Sequence, residues 1–489
     1  MSKKLLIGVD LGTSGVKLLL MDEEGTILNI VTKTYDVSFP KEGWSEQEPA
    51  AWYHRTLEGL ADLLKDADKA SVAGIGVGGQ MHGLVVLDEK DQVLRPAILW
   101  NDGRSVKETA YLNEEIGREK LRQHTGNIAF PGFTAPKILW MQKNEPELWK
   151  RVCKIMLPKD YLVYRLSGSF STDLSDASGM LLLDVEHRCW SKEMLELCHV
   201  SEQMLPRLYE SYEAVGTLKK DLTEELGLPE NVMLCAGAGD NAAAAIGTGT
   251  IGEGGLNISL GTSGTTFLSS KSYASDPGFA MHGFCHADGG YHMMGCMLSA
   301  ASCNNWWMEK ILQTSEFEKE QEGLLSKCGH NNIFFLPYLM GERCPHNDAN
   351  IRGAFLGLSM DSSRQDMTLA MMEGVAFAIR DCVEPARALG VDPKKATICG
   401  GGAKSPLWRQ IVADVLGIPL QIIDGAEGPG FGGAILAGVA AGVYASVEDA
   451  VKNLVHPMDA ERPDESRVAL YGEKYETYRK LYPALKGVL

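Results

Sequence analysis

Two stretches of this sequence carry the same five residues half a chain apart. Leu11-Gly12-Thr13-Ser14-Gly15 follows Asp10, and Leu260-Gly261-Thr262-Ser263-Gly264 follows Ser259. A Gly-Thr-Ser-Gly turn between strands suits an anion. Its glycines let backbone N–H groups approach a ligand closely, and successive N–H groups form an anion-binding nest. The hydroxyls of Thr13, Ser14, Thr262 and Ser263 add further donors. One copy is weak evidence, because a tight hairpin explains it equally well. Two copies, at equivalent places in two halves and facing each other across a cleft, would grip one polyphosphate from both sides. The residue ahead of each turn fits this reading. A bare carboxylate at Asp10 repels phosphates unless a divalent cation lies between them. Mg²⁺ takes one or two carboxylates together with phosphate oxygens and water. Only one half needs to supply that acid, so Ser259 suffices in the other.

A second acid is singled out by the stretch CAGAGDNAAAAIG, Cys235–Gly247. Gly237, Gly239 and Ala242 fit the dinucleotide pattern G-x-G-x-x-G/A, which also calls for an acid about 20 residues on, at the end of the next strand. That strand ends at Ser259-Leu260 without one, so the dinucleotide reading is disfavoured. The stronger reading rests on Asp240, at the end of a strand and the head of a helix. There a carboxylate accepts the proton of a substrate hydroxyl as it attacks a γ-phosphate. A helix-capping role for the same residue is compatible. No G-x-x-x-x-G-K-[ST] occurs, which disfavours a Walker-type nucleotide site. His282, Cys285, His286, Asp288 and His292 fall within a short span, but their spacing fits no standard metal pattern.

These residues need a frame to hold them. Leu5–Asp10, Val16–Met21 and Thr26–Val31 read as strands joined by turns. The following segment switches to helical period, with Trp52, Leu57, Leu60 and Leu64 on one face and Ser45 and Glu48 as a capping box. The second half repeats the plan, with strands at Gly255–Leu260 and Thr265–Ser269 and a long helix over Met367–Gly390. ATICGGGAKSPLWRQIVADVLG reads strand, glycine turn, helix, with Ser405 as N-cap, Pro406 at the first position and Gly417 as the stop. The expected architecture is therefore α/β, two related halves with a cleft between them. The boundary falls near Gly247–Gly254: residues 1–248 form the first domain, 249–445 the second, and 446–489 a helical tail on the second.

Composition narrows the partners. The 489 residues include 47 basic and 64 acidic ones, for a net charge of −17, and no basic patch stands out. Nucleic acid and anionic membranes are thereby disfavoured. No apolar run reaches the roughly 18 residues of a membrane span. The opening MSKKLLIGVDLG reads as a strand rather than a signal peptide, and eleven scattered cysteines without a C-x-x-C pair read as reduced thiols in a cytoplasmic protein.

The paired turns resemble those of the actin/sugar-kinase/chaperone-ATPase superfamily, built from two ribonuclease-H-like domains. Within it, GDNAAAA (Gly239–Ala245), GFTAPKILWMQKN (Gly132–Asn144) and GGGAKSPLWRQIVADVLG (Gly400–Gly417) are similar to segments of the FGGY carbohydrate kinases. The resemblance runs from Ile7 to about Tyr444. GGQMHG (Gly78–Gly83), AILWNDGR (Ala97–Arg104), LPKDYL, FCHA, MLSAASC and FLPYLMGERCPHND resemble the D-xylulose-phosphorylating branch; a glycerol-phosphorylating member carries Arg-Glu where Met81-His82 stand.

The resemblance implies ATP-dependent phosphorylation of D-xylulose to D-xylulose 5-phosphate, with ATP and Mg²⁺ required. Asp240 is then the general base and Asp10 the metal-linked acid. Met81, His82, Asn101, Asp102, Asp240 and Asn241 would meet the sugar. Gly12, Thr13, Ser14, Gly261 and Thr262 would hold phosphates, and Gly401, Gly402 and Ala403 would line the adenosine site. Trp100 reads as core or cleft wall. The resemblance is compatible with a homodimer. Two alternatives stay open: a kinase for another small polyol such as ribulose or glycerol, and a chaperone-like ATPase on the same scaffold.

Overall fold

The computed structural model describes residues 3–423 and 428–488. The chain opens with an antiparallel meander of β1 (Leu5–Leu11), β2 (Gly15–Asp22) and β3 (Ile27–Thr34). Helix α1 (Pro49–Leu63) leads to β4 (Val72–Gly79), which runs parallel to β1. Helices α2 (Thr134–Asn144) and α3 (Pro158–Ser167) follow, then β5 (Ala214–Thr217), β6 (Met233–Cys235), the short β7 (Ala238–Gly239) and α4 (Asp240–Gly247). The first sheet has the order β5-β6-β4-β1-β2-β3, with β7 also paired to β4.

The second half gives β8 (Gly255–Leu260), β9 (Gly264–Ser270), β10 (His282–Cys285) and β11 (Tyr291–Met297). Helix α5 (Arg364–Ala388), β12 (Lys395–Cys399), α6 (Pro406–Leu416) and β13 (Leu420–Ile422) come next. The chain continues through α7 (Gly428–Ala440), α8 (Val447–Leu454), β14 (Met458–Glu461) and α9 (Glu465–Tyr478). The second sheet has the order β10-β11-β9-β8-β12-β13-β14. The path β3-β2-β1-β4-β6 matches β11-β9-β8-β12-β13: two antiparallel junctions, then two parallel ones. The expected ribonuclease-H-like plan therefore occurs twice, and each copy puts a Gly-Thr-Ser-Gly turn between its first two strands.

Local signals account for most of these elements. Ser405 Oγ accepts from the Trp408 amide at 3.1 Å, Pro406 opens α6, and Gly417 ends it at φ +70°. Helix α5 begins at Arg364, ahead of the expected Met367, because Ser363 and Asp366 form a capping box. The expected capping box at Ser45 and Glu48 is absent. Glu48 is the N-cap and makes no side-chain capping bond, while Pro49 at the first position brings no N–H that needs one. Ser45 instead donates its backbone N–H to Asp102 at 2.6 Å. Trp52, Leu60 and Leu64 are buried on the inner face of the helical segment, and Leu57 packs against the same core.

Helix α7 belongs by chain order to the expected second domain, 249–445. It follows the second half in the chain yet packs on the first sheet, with its backbone riding directly on β1, β4 and α4. A Cβ at Gly8 would stand 1.7 Å from Gly430 O, one at Gly76 would stand 2.0 Å from Gly433 O, and one at Gly432 would stand 1.8 Å from Ala243 O. One core unites Leu6, Leu19 and Ile246 with Ile435, Leu436 and Val451. Segment 446–489 is likewise not packed on the second half throughout. Helix α8 joins the core shared with β1 and β2, β14 extends the second sheet beside β13, and α9 packs against the α5–α6 core. Among the described residues no helix is long and apolar enough to cross a membrane, and all eleven cysteines are free.

Candidate active site

The two turns are built alike. Their carbonyls are held from behind, which leaves the opposite edge of each turn for a ligand. In the first, Gly12 O accepts from the Tyr35 hydroxyl at 2.5 Å and Thr13 O from Gln47 Nε2 at 2.6 Å. In the second, Gly261 O accepts from the Ala301 amide at 2.8 Å, and Thr262 O from the Ala300 amide at 3.0 Å and Ser302 Oγ at 2.7 Å. A chain of side chains ties the first turn to the core: Trp52 Nε1 and Gln80 Nε2 both donate to Gln47 Oε1, at 3.1 and 3.0 Å. One expectation changes in detail. The Thr13 hydroxyl donates to Gln80 Oε1 at 3.1 Å and accepts from Trp100 Nε1 at 3.0 Å, so its proton is already committed within the protein. Ser14 is exposed. Trp100 is not core: it stands 48% exposed beside this turn.

The register of β1 puts Asp10 opposite Lys17 of β2 and Gly78 of β4, one residue before the turn sequence begins. Burial pushes its carboxyl up to about 6, against the pull of Lys17. Asp240 is the first residue of α4. Burial, and after it the charge of Asp10, push its carboxyl up to about 7, while the Asn241 amide favours the ionised form. Asp240 Oδ1 accepts from the Asn241 backbone N–H at 2.7 Å and from Asn241 Nδ2 at 3.2 Å. Two acids thus face one another electrostatically near a phosphate-type turn, one of them poised close to neutrality.

Met81 and His82 stand beside them. Asn241 Nδ2 lies 3.8 Å from Met81 Sδ, and a Cβ at Gly239 would come within 2.9 Å of Met81 Cγ. His82 is a non-glycine residue at φ +68°. Its Nδ1–H donates to Gly179 O at 3.0 Å, a partner that only accepts, so Nε2 is left as an acceptor. Burial, then the Lys137 cation, push the ring down to about 3, so it is neutral at pH 7. Its ring packs on Phe133 at 4.7 Å between centroids. Asn101 and Asp102 behave otherwise. Asn101 is exposed. Asp102 is buried with both oxygens engaged: Oδ1 accepts from the Arg104 amide at 2.9 Å and from Nε at 2.8 Å, and Oδ2 pairs with Arg104 Nη2 at 2.7 Å and accepts from Ser45 N. The expectation that Asp102 meets a sugar is corrected on that ground: its carboxylate holds the loop instead.

In the second half a cavity of about 600 Å³ is bordered by Gly261, Thr262, Gly401 and Gly402, together with Asn304, Phe317 and Gln321. A Cβ at Gly402 would stand 2.6 Å from Leu260 Cγ, whereas one at Gly401 would meet nothing within 4 Å and would project into open space. Ala403, between Gly402 and Lys404 of the same rim, is buried. Asn304, Phe317 and Gln321 come from a segment that carries no local motif, so sequence reasoning missed them. The histidine cluster is internal packing. His286 Nε2 bonds Thr250 O at 2.9 Å, His292 stacks on Phe267 at 4.0 Å and His282 on Phe284 at 5.5 Å. Among the described residues no group of His, Cys, Asp or Glu is arranged to hold a metal ion unaided.

Comparison with known proteins agrees with this geometry. The model of the FGGY family of carbohydrate kinases, N-terminal domain, matches residues 5–247, and that of the C-terminal domain matches residues 256–441. The xylulose kinase of Escherichia coli (strain K12) is 40% identical over 484 residues, covering 98% of this chain and 99% of that protein. The xylulose kinase of Klebsiella pneumoniae is 39% identical over 496 residues, covering 99% of this chain and 100% of that one. A crystal structure described as a "xyloylose kinase" from Brucella ovis superposes with a TM-score of 0.93 at 41% identity, covering 99% of this chain and 100% of that one. The two family matches take in both turns, Asp10, Asp240 and the Gly401-Gly402 loop, and with them nearly the whole two-sheet frame: the chain belongs to the FGGY family of carbohydrate kinases.

Proposed function

We propose that this protein transfers the γ-phosphoryl group of ATP to the 5-hydroxyl of D-xylulose. The observation that carries the chemistry is Asp240, an acid at the head of α4 whose carboxyl is pushed up to about 7 by burial and the Asp10 charge and which accepts two bonds from Asn241, itself beside Met81. The choice of sugar is supported by the full-length relatives named xylulose kinase and by Met81-His82.

The substrate oxygen attacks the γ-phosphorus, its proton passes to Asp240, and the bond between the γ-phosphorus and the β–γ bridging oxygen breaks to release ADP. A base with a pKa near the working pH suits this transfer. Phosphoryl transfer otherwise asks mainly for positioning and charge neutralisation. His82 Nε2 accepts from a sugar hydroxyl, Asn241 supplies a donor and an acceptor, and Met81 covers the carbon skeleton. The amides of Thr13, Ser14, Gly261 and Thr262 hold phosphate oxygens, Gly12, whose own amide closes the turn on Gly15 O at 3.0 Å, leaves room for them, and the bare Gly401-Gly402 backbone receives the adenosine. Asp10, a lone carboxylate beside a phosphate turn, is the kind of donor Mg²⁺ takes together with phosphates and water. Bound there, Mg²⁺ would neutralise the charge of the nucleotide's phosphates. Residues 1–248 carry the sugar and residues 249–445 the nucleotide. We further propose a homodimer in the cytoplasm, a reducing compartment in keeping with eleven free thiols.

The test is ADP release in a coupled assay with ATP and Mg²⁺ across D-xylulose, D-ribulose, L-ribulose and glycerol. Strong turnover with D-xylulose alone is the expected result. Preference for another polyol overturns the substrate assignment and keeps the mechanism. ADP release indifferent to every sugar overturns the role of Asp240.

A further inference from the structure

The segment Gly132–Lys137 has no part in the chemistry described so far, yet it grips His82 from both ends. Phe133 packs on the ring. Thr134 Oγ1 donates to the His82 carbonyl at 3.1 Å, and Lys137 Nζ donates to the same carbonyl at 2.8 Å and to Gly132 O at 2.6 Å. Lys137 is fully buried. Among the described residues no carboxylate comes within ion-pair distance of it, although Asp102 and Arg104 lie near enough to act on its charge. An ammonium taken out of water without a paired carboxylate is expensive to bury. An apolar side chain of similar length would fill the same space with no such penalty. What Nζ adds is two bonds to carbonyls, charge-assisted when it is protonated, and one of those carbonyls belongs to a residue in an uncommon backbone state. A left-handed φ at a residue bearing a Cβ persists only where its surroundings over-determine it.

We infer that Lys137 is a positioning residue for the sugar site: by clamping the His82 carbonyl it holds that residue left-handed, with Nε2 available to a sugar hydroxyl. The clamp also joins the Gly78–Gly83 loop to the head of α2. Burial pushes the Lys137 ammonium down to about 7, against the pull of the Asp102 charge, and Nζ keeps its two donated bonds in either protonation state. This inference rests on the reading of His82 as a sugar contact.

A double-mutant cycle tests it, with Lys137→Met, His82→Ala and the double variant in the full-length enzyme. KM for D-xylulose, KM for ATP, kcat and the melting temperature are read for each. Lys137→Met is expected to raise the sugar KM about tenfold or more, the scale of a lost hydrogen bond to a charged group, with the ATP KM within about twofold. On the His82→Ala background the same change is expected to add nothing further, because the residue it positions is gone. An unchanged sugar KM in Lys137→Met, an equal rise in the ATP KM, or full additivity with His82→Ala overturns the inference. If His82→Ala leaves the sugar KM unchanged, the sugar-contact reading itself fails, and the inference with it. Should Lys137→Met not fold, Thr134→Val removes the other donor to the His82 carbonyl. A sugar-specific rise in KM of about threefold then supports the clamp, and no rise refutes it.

Discussion

Replacing Asp240 by Asn keeps the size and shape of the side chain and removes only its ability to take a proton. A positioned general base contributes roughly 10²–10⁴ in rate, or about 3–5 kcal/mol of barrier, and kcat of Asp240→Asn is expected to fall by that factor. Stability should move the other way. Burial and the Asp10 charge raise this carboxyl from 3.8 to about 7. The folded state therefore holds the proton more tightly than the unfolded chain does. Stability from this group is full below about pH 4 and is lost as the pH rises through about 7. A shift of that size corresponds to roughly 4 kcal/mol at pH 8. Asp240 is only half-buried, so screening leaves about 1–2 kcal/mol of it. Asn carries no charge to bury, so the variant should melt roughly 1–2 °C higher at pH 8 and equal the wild type near pH 4. The assay pairs ADP release with thermal melts at both pH values and with ATP binding, which should survive. Retention of more than about a tenth of kcat refutes the general-base role. A lower melting temperature at pH 8 refutes the electrostatic account of Asp240.

Other perturbations separate the remaining parts of the site. In the wild type, kcat/KM for the sugar should fall on the acid side with an apparent pKa near 7, the value of Asp240 in the free enzyme, and this limb should vanish from the residual activity of Asp240→Asn. Gly401→Val should raise the ATP KM at least about tenfold with an unchanged melting temperature, because a side chain there meets only open space in the protein. Asp102→Asn breaks the buried pair with Arg104 and should cost about 3–5 kcal/mol of stability, read by denaturant unfolding, while the sugar KM of the folded enzyme changes less than about twofold. Chelation of Mg²⁺ with EDTA should abolish turnover and be fully reversed by added Mg²⁺.

Much of this was legible in the residues. The repeated pentapeptide marked the equivalent strand–turn–strand units, and the Asp10/Ser259 difference marked which of them carries an acid. Ser405, Pro406 and Gly417 bounded their helix because each acts within a turn of its own position. The failures have a common cause, which is that distant partners outweigh local signals. Ser45 looked like a cap, but its amide is taken by Asp102, far along the chain. Asp102 looked free for a sugar, but Arg104 and Ser45 use both its oxygens. Phe317 and Gln321 reach the cavity of the second half only through the fold, and no spacing announces them. Nor did chain order announce that α7 covers the first sheet, because an apolar, glycine-rich helix does not say which sheet it will cover.

The return of α7 to the first sheet has a consequence for the order in which the protein is made. Leu6, Leu19, Met21 and Ile246 share their core with Phe431, Ile435 and Val451. On the ribosome, the stretch between Ile246 and Phe431 takes on the order of 10–40 s to synthesise at about 5–20 residues per second. Throughout that interval β1, β2 and β4 exist without their cover, and where Gly8 and Gly76 sit the uncovered surface is bare backbone. The amino-terminal half therefore cannot finish folding as a vectorial unit. It waits, with an adhesive face exposed, for a helix encoded far downstream.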